Sequence, residues 1–313
     1  MSTIKIQSPG LFTTVQDLGR PGFGPMGLSP SGAADSIAFR LGNRLVDNDD
    51  GAAALEMTLI GGTFSFPEGS IVALAGSDFG ASLDDHPVAP WISLKINPSQ
   101  TLRLGPTRSG ARCYLCIQGG IKVNSFLGSA STHILSGLGG FEGRALRKGD
   151  VLSIGPATAT FRERRISSQR LQHLSARKVL RVTSGPQSDW FPESSHEAFY
   201  KNTYRVTEDS NRMGLRLEGA AIPPHSRGQM ITEGVSLGAI QVPDGGEPII
   251  LFVEQQTTGG YPKIANVISA DLPSIGQLRP RDEIRFEQVD VKTARALFKE
   301  QEKILASEDL IEE

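Results

Sequence analysis

The chain has 313 residues, which exceeds a typical single domain and predicts two domains, each able to bury its own core. It carries 32 Lys and Arg against 34 Asp and Glu, so it lacks the basic excess of proteins that bind nucleic acid or anionic membranes. No apolar run approaches the ~20 residues of a membrane span, and the first residues alternate like a strand rather than forming a signal peptide. We therefore expect a cytoplasmic protein that contacts neither nucleic acid nor membrane.

The many short β-rich runs, separated by turn clusters, predict a mainly β fold. Helical spacing predicts three helices: Ala33–Val46 with Ser31 as its cap, Pro262–Ala270, and Val291–Leu305. The acidic end, Ser307–Glu313, is expected to fray. Strands are predicted at Ile4–Gln7, Thr63–Phe66, Ile71–Ala75, Thr101–Leu104, Arg112–Ile117, Val151–Ile154, Val179–Val182, Tyr204–Val206, Leu215–Leu217, Ala239–Val242, Ile249–Val253 and Glu283–Phe286.

The chain repeats a short pattern, L-R-x-x-D followed by alternating apolar positions. It occurs at 146–154 and again at 278–286, each time as a turn that leads into a strand. Two copies indicate two related β units rather than a solenoid. The charged stretch Arg162–Lys178 is the predicted boundary, which gives domains at 1–165 and 175–290 and a C-terminal helix and acidic tail at 291–313.

The two cysteines, Cys113 and Cys116, have the C-x-x-C spacing of redox pairs and zinc ligands, but they lie in a predicted strand. Side chains three apart on a strand point to opposite faces, so we expect buried, unpaired thiols. The five histidines are scattered singly, which argues against a metal cluster, and no metal ligands are assigned. Gly22–Gly27 fits G-x-G-x-x-G, but Pro25 interrupts it and no α/β alternation follows, so a dinucleotide site is not expected.

The densest group of hydrogen-bonding residues is Gln255–Pro262, which contains two amides, two hydroxyls, two glycines and a tyrosine. We interpret it as a strand-to-helix turn whose glycines admit a ligand and whose helical N–H groups would seat an anion. A turn whose polar side chains only face water is the alternative. Further polar segments rich in Arg, Asp, Gln and Gly lie at 13–20, 31–35, 118–120, 184–189 and 210–214.

These segments together resemble the allophanate hydrolase subunit 2, or biotin-dependent carboxyltransferase, family, which includes the C subunit of 5-oxoprolinase and KipA-like proteins. The resemblance rests on GLFTTVQDLGRPGFGPMG, SGAADSIAFRLGNRLV, RCYLCIQGGIKV, SNRMGLRLEG and, above all, GAIQVPDGGEPIILFVEQQTTGGYPKIANVISADLPSIGQLRPRDEIRF. Three positions depart from the family's usual pattern: Glu254, where aspartate is usual, Ala34, and Arg281, where glycine is usual.

The resemblance implies two tandem cyclophilin-like β-barrel domains and a complex with the A and B subunits of 5-oxoprolinase, of which the second is KipI-like. Such a complex uses ATP to open the lactam of 5-oxo-L-proline to L-glutamate. The ATP, with or without Mg, would be bound by this chain or by its partner subunit. Phosphorylation of the lactam oxygen would require groups that neutralise the developing charge of the phosphoryl group. Catalytic roles are therefore expected for Asp17, Arg20, Arg212 and Gln256. Substrate-binding roles are expected for Thr14, Gln16, Asp35, Arg40, Asn43, Glu56, Thr257, Thr258, Gly259, Gly260 and Tyr261.

Two other functions stay open at this point. A KipA-like regulatory protein would bind a kinase inhibitor through the same interface and catalyse nothing. A carboxyltransferase component of a urea carboxylase-like system would accept carboxyl groups from biotin carried by another protein, since this chain has no Met-Lys-Met carrier sequence.

Overall fold

A computed structural model describes residues 2–157, 159–225 and 230–313, and the fold is mainly β. Its strands are β1 Thr3–Ser8, β2 Phe12–Gln16, β3 Ala54–Thr58, β4 Thr63–Ser65, β5 Ser70–Gly76, β6 Ser82–Leu83, β7 His86–Pro87, β8 Ser93–Ile96, β9 Thr101–Arg103, β10 Arg112–Ile117, β11 Ile121–Lys122, β12 Val151–Ile154, β13 Arg165–Ile166, β14 Val179–Ser184, β15 Tyr204–Val206, β16 Gly214–Glu218, β17 Glu233–Gly234, β18 Ala239–Gln241, β19 Ile249–Leu251, β20 Thr258–Gly259, β21 Lys263–Val267, β22 Glu283–Gln288 and β23 Ile311–Glu312. Its helices are α1 Ser36–Leu45, α2 Ser168–Leu174, α3 Glu193–Lys201, α4 Leu272–Ile275 and α5 Val291–Leu305.

The chain divides into two compact units. The first contains Met1–Arg20, Ser31–Leu174 and Ser307–Glu313, and the second contains Pro21–Pro30 and Ser175–Ala306. The division after Leu174 lies within the charged stretch where we placed the boundary. Two parts of this division could not be predicted from the sequence. The short segment 21–30 belongs to the second unit, and the C-terminal residues 307–313 belong to the first.

The first unit is built from two sheets around one core. One sheet has the order β11-β12-β1-β4-β9-β6-β7 and the other β2-β3-β10-β5-β8. Strand β1 lies at the surface of this core because its residues alternate: Ile4 and Ile6 are buried, whereas Lys5 and Gln7 are exposed. Strand β10 is buried at every position and pairs with β3 and β5. Cys113 and Cys116 on β10 are buried and unpaired, as predicted.

The second unit is a closed barrel with the strand order β14-β21-β18-β19-β16-β15-β22. A parallel pair, β14 with β22, closes a barrel whose other pairs are antiparallel. Helix α3 packs on β22, where the Phe199 and Phe286 rings stack with centroids 4.4 Å apart. The predicted mainly β fold with few helices is confirmed.

The sequence repeat corresponds to one turn built twice. In the first unit Asp150 Oδ2 accepts from Arg147 N at 2.7 Å, and in the second Asp282 Oδ2 accepts from Arg279 N at 2.9 Å. Each aspartate carboxylate therefore closes the tight turn that precedes a strand. The residue before the aspartate has positive φ in both copies, +93° at Gly149 and +73° at Arg281.

Several local predictions are wrong. Pro262–Ala270 is not a helix, because Lys263–Val267 forms the barrel strand β21 between β14 and β18. Helix α1 is capped by Asp35, whose Oδ1 accepts from Ala38 N at 3.0 Å, and not by Ser31. The C-terminal tail is not frayed, since β23 pairs with β13. Helix α5 matches its prediction at both ends.

Within the described part of the chain, no helix combines the length and apolar character needed to cross a membrane.

Candidate active site

The turn 255–262 joins two strands of the second unit, so the helix N-terminus that we expected to seat an anion is missing there. Thr258 and Gly259 form β20, which pairs with Glu233 and Gly234 of β17 in a two-stranded ribbon outside the barrel. Val235 N donates to Thr257 O at 3.1 Å and extends this pairing. The turn is thus held against a second exposed loop of the same unit.

A cavity of about 680 Å³ opens beside this ribbon, and all of its lining residues belong to the second unit. Its volume is within the range of small-molecule sites. Ribbon residues 234–236 and 257–258 form one side, and Pro186, Lys263 and Asn266 belong to barrel strands or their ends. Gly24, Pro25 and Gly27 complete the lining, so the G-x-G-x-x-G segment contributes to this cavity although it is not a dinucleotide fingerprint.

Lys263 is the charged residue of this lining, and it is only 2% exposed. Its Nζ lies 2.7 Å from Glu233 Oε1. Gln187 joins the same cluster, because its Nε2 donates to Glu233 Oε1 at 2.9 Å and its Oε1 accepts from Lys263 N at 3.3 Å. Hydrogen bonding from Lys263 and then from Gln187 lowers the pKa of Glu233, which is therefore an anion at neutral pH.

Hydroxyl and amide groups provide the remaining polar lining. Ser236 Oγ donates to Asn266 Oδ1 at 2.7 Å, which fixes both side chains at the cavity wall. Thr258 is exposed and Thr257 is half-buried, so their hydroxyls are available to a ligand. The cavity therefore offers one cation and several neutral hydrogen-bonding groups, which suits a small, polar, anionic molecule.

Behind the ribbon, two glutamine amides explain why residue 259 is glycine. Gln256 Nε2 donates to Gln241 Oε1 at 3.3 Å, and a Cβ on Gly259 would lie 2.4 Å from Gln241 Nε2. Gly259 does not have a positive φ, so close packing and not backbone conformation requires it. Within the described residues, Gln241 Nε2 and Gln255 Oε1 are buried and make no hydrogen bond, which is uncommon for buried polar atoms.

Arg212 lies in the second unit as a buried ion pair with Glu254. Arg212 Nε is 2.5 Å from Glu254 Oε1, and the two side chains are 7% and 2% exposed. Glu254 N also donates to Arg212 O at 2.8 Å, so the pair fixes the start of the turn to the loop before β16. The glutamate that departs from the family pattern thus has a structural partner, and catalysis by Arg212 stays a prediction.

Three predicted residues of the first unit, Gln16, Asp17 and Arg20, contact the segment 126–132, and Thr14 contacts Gln16. Asp17 Oδ1 accepts from Gly19 N at 2.7 Å and from the hydroxyls of Ser129 and Ser131 at 2.6 and 2.5 Å. Its Oδ2 accepts from Ala130 N at 2.6 Å.

Arg20 is 1% exposed, and it donates to the carbonyl oxygens of Phe126 and Ser131. Gln16 Nε2 donates to Thr14 Oγ1 at 3.0 Å. These contacts hold the loop in place, and the catalytic roles of Asp17 and Arg20 remain predictions.

Asp35 and Glu56 belong to a second buried group of the first unit, around Tyr114. The Tyr114 hydroxyl donates to Glu56 Oε2 at 2.8 Å and accepts from Asp35 N at 2.8 Å. Ala34 N donates to the same Glu56 oxygen at 2.8 Å. Burial and the nearby carboxylates raise the pKa of Tyr114 well above its usual value, so the phenol stays protonated and connects the start of α1 to the sheet.

Arg40 and Asn43 fix the loop that follows α1. Arg40 Nε is 2.9 Å from Asp50 Oδ2, and Arg44 Nε is 2.5 Å from Asp50 Oδ1. Asn43 Nδ2 donates to Ala52 O at 2.9 Å. Among the described residues, no three His, Cys, Asp or Glu side chains converge as a metal site.

The geometry therefore brings together only part of the predicted set. In the second unit, Thr257 and Thr258 line the cavity, Gln256 and Gly259 lie behind it, and Gly260 and the half-exposed Tyr261 follow in the same turn. Sequence reasoning missed Lys263, Glu233, Ser236 and Asn266. A lysine between Pro262 and the apolar Ile264 was a usable signal, but the helical interpretation of this segment concealed it.

Three comparisons connect this arrangement to known proteins. The chain is 38% identical over 300 residues to the C subunit of 5-oxoprolinase from Escherichia coli K12, covering 96% of both chains. It is 35% identical over 290 residues to the C subunit of 5-oxoprolinase from Haemophilus influenzae, covering 92% of both. The crystal structure of the K. lactis urea amidolyase superposes with a TM-score of 0.89 at 32% identity, covering 99% of this chain and 21% of that one.

A family profile described as carboxyltransferase domain, subdomain A and B, matches residues 26–288, which include the whole barrel and the cavity lining from Gly27 onward. The chain therefore belongs to the carboxyltransferase domain, subdomain A and B, family.

Proposed function

We propose that this chain is the C subunit of an ATP-dependent 5-oxoprolinase, which opens 5-oxo-L-proline to L-glutamate in the cytoplasm together with the A and B subunits. The observation that carries the proposal is the near full-length similarity to two proteins named as the C subunit of 5-oxoprolinase. The cavity supports it, because a small lactam with a carboxylate matches one buried cation flanked by hydroxyl and amide groups.

The turn and its surroundings would contribute binding and orientation. Thr257 and Thr258 would donate to the substrate from the ribbon side of the cavity, and Ser236 and Asn266 lie on the same lining. Phosphoryl transfer from ATP to the lactam oxygen would break the terminal phosphoanhydride bond, release ADP and form a phosphorylated imidate with loss of the lactam N–H proton. One water would add to the imidate carbon, and cleavage of the C–N bond would give γ-glutamyl phosphate. A second water would then release phosphate and L-glutamate. The nucleotide and its Mg²⁺ would be held jointly with the partner subunits, since this step requires charge neutralisation and exclusion of water.

The test is co-expression of this chain with the A and B subunits, followed by an assay of ATP-dependent glutamate release from 5-oxo-L-proline. A joint peak in size-exclusion chromatography and release of glutamate are expected. Separate peaks at micromolar concentration, or a stable complex without this activity, would exclude the proposal. A stable, inactive complex would instead favour the regulatory role of KipA-like proteins.

A second candidate is carboxyl transfer from biotin, and the superposition on the K. lactis urea amidolyase at a TM-score of 0.89 favours it. In that case the cavity would receive a carboxylated biotin carried by another protein. Incubating the chain with carboxylated carrier protein and urea would distinguish the two functions. Transfer of the labelled carboxyl group to urea, without glutamate release in the first assay, would identify a urea carboxylase-like component.

A further inference from the structure

The second unit contains a buried ammonium whose partner is not part of the barrel. Lys263 belongs to the barrel strand β21 and is 2% exposed. A charge at this depth requires a counter-ion, and Glu233 Oε1 provides it at 2.7 Å. Among the described residues, Lys263 Nζ has no partner in good hydrogen-bond geometry, so its ion pair with this single carboxylate oxygen is what compensates its charge.

The two partners of this pair are held very differently. Glu233 lies on the two-residue ribbon strand β17, and its side chain is 43% exposed. The next residue, Gly234, lines the cavity, and a Cβ placed there would meet no atom within 4 Å. The lysine is therefore fixed by the barrel, whereas its counter-ion comes from an exposed strand beside open space.

We propose that Lys263 is the receptor for the carboxylate of the substrate, and that Glu233 occupies this position until the substrate displaces it. The inference rests on the proposed function for the identity of the substrate, 5-oxo-L-proline. The exchange replaces one carboxylate by another, so the buried ammonium is never left without a counter-ion. The lactam ring would then extend from Lys263 toward the hydroxyls of Thr257 and Thr258 on the same cavity.

Gln187 acts in this scheme as a positioning residue for Glu233. Its Nε2 donates to Glu233 Oε1 and its Oε1 accepts from the backbone of Lys263, so it connects the two halves of the pair. Because Lys263 and Gln187 keep Glu233 ionised, Glu233 competes with the substrate as a carboxylate and does not act as an acid.

The test compares two single variants in the complex with the A and B subunits. Lys263→Met removes the receptor, and we expect the Kd for 5-oxo-L-proline, measured without ATP, and the KM to rise ten- to a hundredfold. Glu233→Gln removes the competitor at nearly constant volume, and we expect both constants to fall about two- to fivefold. Opposite directions are the signature of this mechanism, because a merely structural ion pair predicts that both variants weaken binding.

The ligand and the control variant make the result specific. Binding of 2-pyrrolidinone, which has the lactam but no carboxylate, should be weak in the wild type and unchanged in either variant. Lys178→Met is the matched control, because Lys178 Nζ lies 2.9 Å from Asp282 in the same unit but is 63% exposed. Its Kd should equal that of the wild type. Equal binding of the two ligands by the wild type would overturn the inference.

Failure of the inference can be separated from failure of the proposed function. A wild-type complex that releases glutamate while Glu233→Gln weakens binding would leave the function intact and exclude the carboxylate exchange. If the wild-type complex does not process 5-oxo-L-proline, the proposed function fails, and unchanged Kd values across the variants would exclude the exchange as well. Should Lys263→Met not fold, the direction of the Glu233→Gln shift and the 2-pyrrolidinone comparison decide the question.

Discussion

Adding a single methyl group should distinguish the two adjacent glycines of the turn. A Cβ on Gly259 would lie 2.4 Å from Gln241 Nε2, 2.8 Å from Gln256 Nε2 and 3.3 Å from Val235 Cγ1. At Gly260 the nearest atoms would be 3.5 Å and 3.8 Å away, which is ordinary contact. The first substitution must therefore separate the two glutamine amides, whereas the second needs no movement.

The magnitudes follow from these distances. Overpacking a buried site costs about 1–3 kcal/mol, and replacing glycine by alanine recovers about 0.4–1 kcal/mol by restricting the unfolded chain. Gly259→Ala should therefore destabilise the protein by roughly 0.5–2 kcal/mol and should reduce glutamate release in the complex, because Thr258 moves with the displaced ribbon. Gly260→Ala should be neutral or slightly stabilising.

Urea unfolding of each variant measures the stability, and the assay with the A and B subunits measures the activity. The comparison is between two alanines one residue apart, so differences in helix or strand propensity are small. Equal stability and activity of the two variants would refute the packing argument. Greater damage at Gly260 would show that the close approach lies on the other side of the turn.

Three further predictions concern the pairs and turns that hold the site. Arg212→Lys should lower the free energy of unfolding by about 1.5–3 kcal/mol, because one buried charge-assisted bond is lost. Arg205→Lys in the exposed pair with Glu218 should leave it nearly unchanged, and similar losses in both variants would contradict this. Arg281→Gly should stabilise the protein by roughly 0.5–1 kcal/mol, because glycine adopts this positive φ without the steric cost that arginine bears, and Gly149→Arg in the equivalent turn should destabilise it; thermal shifts of the same sign in the two variants would contradict this. Hydrogen bonds from Arg144 lower the pKa of Asp150. The ionised carboxylate therefore stabilises the fold at pH values above its unfolded pKa of about 4, and this stabilisation is lost as the pH falls through the lower pKa of the folded state. Arg144→Met should therefore destabilise the protein at pH 7 and flatten its acid dependence below about pH 4, and a parallel downward shift of the whole curve would be inconsistent with this linkage.

The sequence was sufficient for features that depend on local pattern. Short β-rich runs located strands such as Arg112–Ile117 and Val151–Ile154 to the residue, and helical spacing did the same for Val291–Leu305. The L-R-x-x-D repeat identified a turn whose carboxylate contact recurs in both units. Each of these signals comes from residues close together in the chain.

Features that depend on tertiary packing were missed. The apolar positions of 263–268 fit a helix as well as a strand that is buried on both sides, and only pairing with two neighbours decides for the strand. The same ambiguity concealed Lys263, whose partner Glu233 is 30 positions earlier in the chain. Polar residues such as Asp17 and Glu56 are of types that are common in active sites. In the fold, however, they form hydrogen bonds with residues that are distant in sequence.

In the proposed function, the cavity beside the 255–262 turn is where the substrate binds and reacts. The most direct measurement is kcat/KM for 5-oxo-L-proline in the complex with the A and B subunits, for Thr258→Val against a control, Thr160→Val, at another exposed threonine. We expect a loss of about two- to tenfold for Thr258→Val with unchanged unfolding, because one substrate hydrogen bond is removed at nearly constant volume. Full activity of a folded Thr258→Val complex, equal to that of the control, would contradict it.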